Sequence, residues 1–110
     1  MKPNLENYEK LKEIHEIYIK GGYLLWKYST DYNVEIEDIG VEIKRQGVGT
    51  NLIKKLITDL RGNPPKIIFL YTKEANKETQ YFYSSLGFER GGEMGDNILY
   101  WQFYNLLTNL

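Results

Sequence analysis

Two rhythms of apolar and polar residues divide the chain. Leu5, Tyr8, Leu11 and Ile14 lie three residues apart, which predicts a short helix from about Asn4 to Ile14. From Glu16 to Lys20 the rhythm becomes an alternation, Gly21-Gly22 interrupts it, and an aromatic and aliphatic run follows from Tyr23 to Tyr28. Two such runs across Gly-Gly predict a hairpin, although the first helix could instead continue to Lys20. Ser29 to Asn33, rich in Ser, Thr, Asp and Asn, reads as a turn into a third strand from Val34 to about Ile43. Gly40 breaks the β-branched pattern of that strand, as expected at a bulge or where something approaches the backbone.

Leu52, Ile53, Leu56, Ile57 and Leu60 then form one apolar face of a helix beginning near Thr50, and Gly62-Asn63-Pro64-Pro65 stops it. Lys66 to Tyr71, reading KIIFLY, is a continuous apolar run bounded by breakers, as in a strand buried on both faces. Strand, helix and strand make a βαβ unit, whose strands are parallel. Asn76 to Leu86 predicts a second helix ended by Gly87, and Phe88 to Tyr104 a last hairpin with Gly91, Gly92, Gly95 and Asp96-Asn97 between its arms. The expected fold class is α+β: a mixed, mostly antiparallel twisted sheet with a central βαβ unit and helices packed on it, in one domain over residues 1–110.

Composition narrows the functions. With 42% hydrophobic residues and a formal net charge of −1, the chain can build a core and offers no overall electrostatic case for binding nucleic acid. There is no cysteine, which excludes disulfides, thiolate catalysis and cysteine metal sites. The N-terminus shows no signal-peptide pattern and no run approaches the ~18 apolar residues of a membrane span, so a cytoplasmic protein without a membrane partner is expected. The charge is unevenly spread. Residues 41 to 77 carry eight Lys or Arg against three Asp or Glu, whereas residues 1 to 40 carry five against eight and residues 78 to 110 one against four. The basic segment favours a compact polyanionic ligand, although several of its lysines can equally serve to solvate a helix face.

That basic segment contains Lys44 to Thr50, KRQGVGT, at the predicted strand-to-helix junction. A helix N-terminus reached through glycines presents unpaired amides at the positive end of the helix dipole, a phosphate site. An isolated G-x-G is equally compatible with an ordinary connection. Leu52 stands where a dinucleotide fingerprint needs its third glycine, and no G-K-[ST] follows as a P-loop requires.

Lys44-Arg45-Gln46-Gly47-Val48-Gly49 resembles the pyrophosphate loop [QR]-x-x-G-x-[GA] of the GNAT N-acetyltransferase superfamily, with Lys in the first position. Asn76, Phe82, Tyr83, Leu86, Gly87 and Phe88 match the family's N-x-x-A-x-x-F-Y followed by L-G-F, with Thr79 in place of the alanine. The order and spacing agree from about Tyr23 to Tyr104, and the N-terminal region is abbreviated. The resemblance implies acetyl transfer from acetyl-CoA to a primary amine, with no metal. Lys44, Arg45, Gln46, Gly47, Val48, Gly49 and Thr50 would hold the phosphates, the edge at Ile39 and Val41 the pantetheine arm, and Asn76 and Tyr83 the acyl end. An amide near Gly40 or Val41 would stabilise the oxyanion, Tyr83 would be the general acid, and Glu37 is favoured over Glu35, Asp38 and Glu42 as the base. Asn76 reads equally well as a simple N-cap. The acidic flanking segments, with Glu35, Glu37, Asp38 and Glu42 along the strand, would draw a cationic acceptor, so a small amine or a lysine-like side chain is expected, and a second subunit could complete the short acceptor side in a homodimer. A non-catalytic CoA-binding or interaction module of the same fold is the alternative. His15, the only histidine, is given no role.

Overall fold

A computed structural model describes residues 12–110. The helix expected from Asn4 lies largely outside them, and the described chain is already non-helical at Ile14. A hairpin follows, β1 at His15–Ile19 and β2 at Gly22–Tyr28, turned by Gly21 at φ 90°. β3 runs over Val34–Val41, two residues shorter than expected. Helix α1 spans Val48–Asp59, β4 spans Ile67–Lys73, and helix α2 covers Lys77–Ser85. β5 at Glu89–Met94 and β6 at Asn97–Phe103 form the last hairpin, and a short helix α3 at Tyr104–Leu107, which the periodicity did not predict, is the last element.

The strands form one six-stranded sheet in the order β1-β2-β3-β4-β6-β5, antiparallel throughout except for the parallel pair β3 and β4. The mixed sheet with its central βαβ unit is the predicted fold class. One face is the core. Leu24 and Trp26 of β2, Val34 and Ile36 of β3, Ile68 and Leu70 of β4 and Ile98 and Tyr100 of β6 meet Leu52, Ile53, Leu56 and Ile57 of α1 there. The alternating burial along β4 and β6 shows that KIIFLY is buried on one face, whereas its continuous apolar run predicted two. Its other face carries Phe69 and Tyr71 beside Trp101 and Phe103 of β6, in edge-on aromatic contacts. Among the described residues no helix is long and apolar enough to cross a membrane, and no cluster of His, Cys, Asp and Glu could hold a metal.

Candidate active site

The site begins where the sheet comes apart. β3 and β4 pair only at Val34 with Ile68 and Glu35 with Phe69, although β3 continues to Val41 and β4 to Lys73. The cause lies on the opposite edge of β3. Leu25 of β2 pairs with Asp38 and its neighbour Trp26 with Ile36, so Glu37 is an extra, bulged residue. A bulge bends its strand and increases the twist, and here it turns β3 away from β4 just after their last pair. The bulge therefore falls at Glu37, not at Gly40. What approaches the backbone at Gly40 is the ring of Tyr23, its partner on β2; a Cβ there would lie 2.3 Å from the ring.

Alternation then fixes which backbone groups face the wedge. The Glu42 amide donates to the Gly21 carbonyl at 2.8 Å, toward β2. Successive residues point to opposite sides of a strand in the ladder, so Gly40 also faces β2, and the amides and carbonyls of Ile39 and Val41 face the gap. Of the two amides proposed for the oxyanion, the one at Val41 is thus directed at the wedge.

The loop after β3 ends on α1. Arg45 has φ 64°, and Gly47, the N-cap, has φ 76° and ψ 4°. Glycine tolerates that left-handed geometry, and it leaves the cap without a side chain to occupy the helix amides. The first bond accepted by Gly47 comes from the Asn51 amide at 3.0 Å, so the amides of Val48, Gly49 and Thr50 have no acceptor within the helix, and no acidic residue occupies its first turn. Gly49 has a different reason for being glycine: a Cβ there would lie 3.0 Å from the ring of Phe82, where α1 crosses α2.

A cavity of about 670 Å³ opens in front of these amides. Ile39 and Val41 form its strand wall, Lys44, Arg45 and Gly47 the loop, Val48, Gly49 and Thr50 the helix end, and Asn76, Thr79 and Phe82 of α2 the far side. Gln46 is the one loop residue expected at the cofactor that does not line it. The positive surround is smaller than the sequence suggests. Lys44 is paired with Glu78 at 3.1 Å, Lys55 with Asp59, Lys73 with Asp96 and Lys77 with Glu74, which halves the eight cations of the segment. Arg45 has no ion-pair partner among the described residues.

A second space of about 180 Å³ continues the wedge past Ile39, Asn76 and Thr79, which line both. Asn76 caps α2, its Oδ1 accepting from the Thr79 amide at 3.3 Å, so the capping role and the place in the cavity coincide. Tyr83 borders the second space with only 1% of its surface exposed, its ring edge-on to Phe82 and Phe88. Among the described residues every buried side-chain polar atom has a hydrogen-bond partner, and the Tyr83 hydroxyl has none; it therefore reaches the open space. Burial, reinforced by the charge of Asp38, pushes the Tyr83 phenol well above its ordinary value, which keeps it protonated.

The carboxylates of β3 differ in their surroundings. Glu37 lies 2.6 Å from the Lys27 ammonium, so the residue favoured as base is neutralised by an ion pair. Glu35 is raised above the usual carboxylate range by burial and by Glu37. Asp38 accepts a hydrogen bond from the Tyr23 hydroxyl at 2.7 Å and faces the second space with Tyr83. Tyr23 was not singled out by the sequence. Its signal is an aromatic residue opposite a glycine, and that is legible only once the register of β2 and β3 is known. The buried Gln80, bonded to the carbonyls of Lys73 and Glu74 and to Tyr100 and Arg90, was missed too; it ties the end of β4 to α2 behind the cavity.

A mixed sheet with a central βαβ unit, opened beside a glycine-led helix N-terminus, is the fold of the acyl-CoA N-acyltransferases. The chain belongs to the acetyltransferase (GNAT) family, whose model matches residues 10–88. Among solved structures it is similar to the anti-CRISPR protein AcrVA5, with 27% identity and a TM-score of 0.64 over 78% of this chain and 96% of that one. It is also similar to PaiA N-acetyltransferase from Thermoplasma acidophilum in complex with coenzyme A, with 16% identity and a TM-score of 0.74 over 84% of this chain and 62% of that one. The ribosomal-protein-S18-alanine N-acetyltransferase of Escherichia coli gives 18% identity and a TM-score of 0.66 over 83% and 69%. The last two show a shared fold, and the chain spans less than two thirds of the Thermoplasma enzyme. A comparison with curated protein sequences gives no match.

Proposed function

We propose that the protein transfers the acetyl group of acetyl-CoA directly to a primary amine. The observation that carries this reading is the wedge between β3 and β4, which runs from the free amides of α1 to the unpartnered hydroxyl of Tyr83. Acetyl-CoA is an elongated ligand with a polyanionic end and a reactive end, and the wedge offers each a counterpart. The pyrophosphate would rest on the amides of Val48, Gly49 and Thr50, with Arg45 and Lys44 beside it. The pantetheine amides would pair with the backbone of Ile39 and Val41 as an added strand pairs with an open edge.

In the reaction the amine nitrogen attacks the thioester carbonyl carbon, forming the C–N bond while negative charge gathers on the oxygen, and the Val41 amide is directed toward it. The intermediate collapses as the C–S bond breaks and the thiolate leaves. Tyr83 gives its proton to the sulfur and recovers one from the nitrogen through water in the wedge, so that an ammonium and acetyl-CoA yield an amide, CoA thiol and one released proton. The burial that disfavours the charged phenolate also disfavours the charged thiolate, so both groups are biased toward their protonated forms.

Calorimetric titration with acetyl-CoA, followed by measurement of free CoA thiol released with a pool of primary amines, tests the reading. Binding with amine-dependent thiol release is expected. Binding without release from any amine would point to a non-catalytic CoA-binding module, and no binding would overturn both.

A further inference from the structure

The face of the sheet turned away from α1 carries a row of side chains outside both cavities. Glu35 of β3 pairs with Phe69 of β4, Phe69 with Trp101 of β6, and Trp101 with Glu89 of β5. Residues directly opposite each other in a ladder share a face, so the four stand in one line across four strands, two aromatic rings between two carboxylates. Tyr71 and Leu99 extend the apolar part on one side of that line, and Ile67 and Phe103 on the other. Tyr71 is 40% exposed and Phe103 41%. β5 sets no side chain over Leu99, because at Gly91 a Cβ would lie 2.9 Å from it. A contiguous aromatic patch rimmed by charge marks a surface that receives something.

The rim defines the chemistry of the partner. Neither Glu35 nor Glu89 has an ion-pair partner among the described residues; Lys27, opposite Glu35 on β2, is held by Glu37 at 2.6 Å instead. Burial and the charge of Glu37 raise Glu35 above the usual carboxylate range, a cost that a cation brought beside it would relieve. Three strand spacings of about 4.8 Å set the two carboxylates about 14 Å apart at the backbone. An α-helix with its side chains is about 10–12 Å across. Laid along β4 and β6, it would set an apolar stripe on the rings and the residues flanking that stripe against Glu35 and Glu89. Lysine or arginine at the flanks would meet the carboxylates and the ring faces together. A second copy of this chain would bring the same carboxylates to the same rim and be repelled. The side chains of the first eleven residues, with Glu6 and Glu9 against Lys2 and Lys10, bring no net positive charge to it.

We propose that this face of β4 and β6 is a docking surface for an amphipathic helix of a partner protein, apolar along the stripe it buries and basic on both flanks. The inference goes beyond the acetyl-transfer reading and does not rest on it, since Glu35, Phe69, Trp101 and Glu89 line neither cavity. Tyr71, at one end of the patch, does border the second space, so one end of the docked helix would lie at the mouth of the candidate active site.

β4 and β6 are each seven residues long, about 23 Å, which a helix of about 15 residues spans. The probe is a synthetic peptide of that length with leucine along one stripe, lysine on both flanks and alanine elsewhere; its counterpart carries glutamate on the flanks. The full-length protein is titrated with each by calorimetry, and the indole N–H of Trp101, one of two tryptophans, is followed by NMR. The lysine peptide is expected to bind, to shift the Trp101 signal and to weaken as salt rises, and the glutamate peptide is not expected to bind. Glu35→Gln and Glu89→Gln should each weaken the lysine peptide by about threefold and together by about tenfold, the scale of charges at an interface rim. Glu16→Gln, on β1, should bind as the native protein does, and acetyl-CoA affinity should be unchanged in every variant. Equal binding of the two peptides, or a folded Glu35→Gln, Glu89→Gln double variant with native affinity, overturns the inference. So does absence of binding. In that case a Trp101 signal that shifts on dilution would give the face to a second copy, and one insensitive both to dilution and to a soluble paramagnetic probe would give it to the chain's own first eleven residues.

Discussion

Gly47 offers the sharpest test of the phosphate site, because two substitutions there separate conformation from charge. Gly47 sits at φ 76° with no atom within 4 Å of the position a Cβ would take. Alanine therefore meets no clash and carries only the left-handed penalty of about 1–2 kcal/mol. In a domain of this size that is a melting point lower by roughly 5–10 °C, and acetyl-CoA affinity should stay within about threefold. Aspartate adds the same strain, partly offset because its carboxylate can itself cap the free amides of Val48 to Thr50. That carboxylate then occupies the anion position. At about 4 Å each pair of unit charges repels by about 1 kcal/mol in bulk water and about 4 at an effective dielectric of 20. Against a doubly charged pyrophosphate the minimum is about 2 kcal/mol, so affinity should fall by at least about 30-fold. Thermal unfolding followed by calorimetric titration with acetyl-CoA reads both effects. A folded Gly47→Asp protein with native affinity would refute the assignment of these amides to the phosphates.

Tyr83→Phe should lower kcat by about 10² with acetyl-CoA affinity unchanged, and should leave the melting point close to native because the hydroxyl holds no protein bond; a full-rate variant would reduce Tyr83 to packing. Tyr104→Phe should cost about 1–3 kcal/mol in denaturant unfolding, because its hydroxyl donates to the Ile57 carbonyl at 2.7 Å in the last turn of α1 and removing it leaves that buried acceptor alone. Glu35 has a folded-state pKa raised by burial and by the charge of Glu37, so its contribution to stability is present below the ordinary carboxylate range and is lost as pH rises through the raised value. Glu35→Gln should therefore melt above the native protein at neutral pH, and the difference should vanish below about pH 4 in a pH series of unfolding scans.

What could be read from the sequence was local. The helix at Leu52 to Leu60 announces itself by one apolar face, the cap of α2 by Asn76, the end of that helix by Gly87 at φ 102°, and the loop by Gly47. Of these, Gly47 and Asn76 line the larger cavity, so that part of the candidate site was legible. The second space was not, because it depends on pairing between strands. That Glu37 and Asp38 both border it turns on a bulge defined by the register of β2 against β3, and the contact of Tyr23 with Asp38 on a register that sets Tyr23 opposite Gly40. The ion pairs that discharge half of the basic segment join residues as far apart as Lys44 and Glu78, beyond the reach of a charge count. Helix α3 is four residues long, too short for any period to show.

The parting of β3 from β4 also bears on how the protein endures without its ligand. Among the described residues two pairs are the only ladder between a three-stranded meander, β1 to β3, and the three strands β4, β6 and β5, so the halves are stitched at one end like the blades of an open pair of shears. An unpaired strand edge is a template for other chains, and here the edge at Ile39 and Val41 lies inside a cleft walled by α1 and α2, where an incoming strand has little room. A ligand lying along it would act as a rivet. Its binding energy would add to the stability of the whole sheet by mass action, about 2.7 kcal/mol at a concentration one hundred times its dissociation constant. The gain would show as slowed hydrogen exchange at the amides of Ile39 and Val41, and the core amides of β6 that exchange only through global unfolding would slow by the mass-action increment.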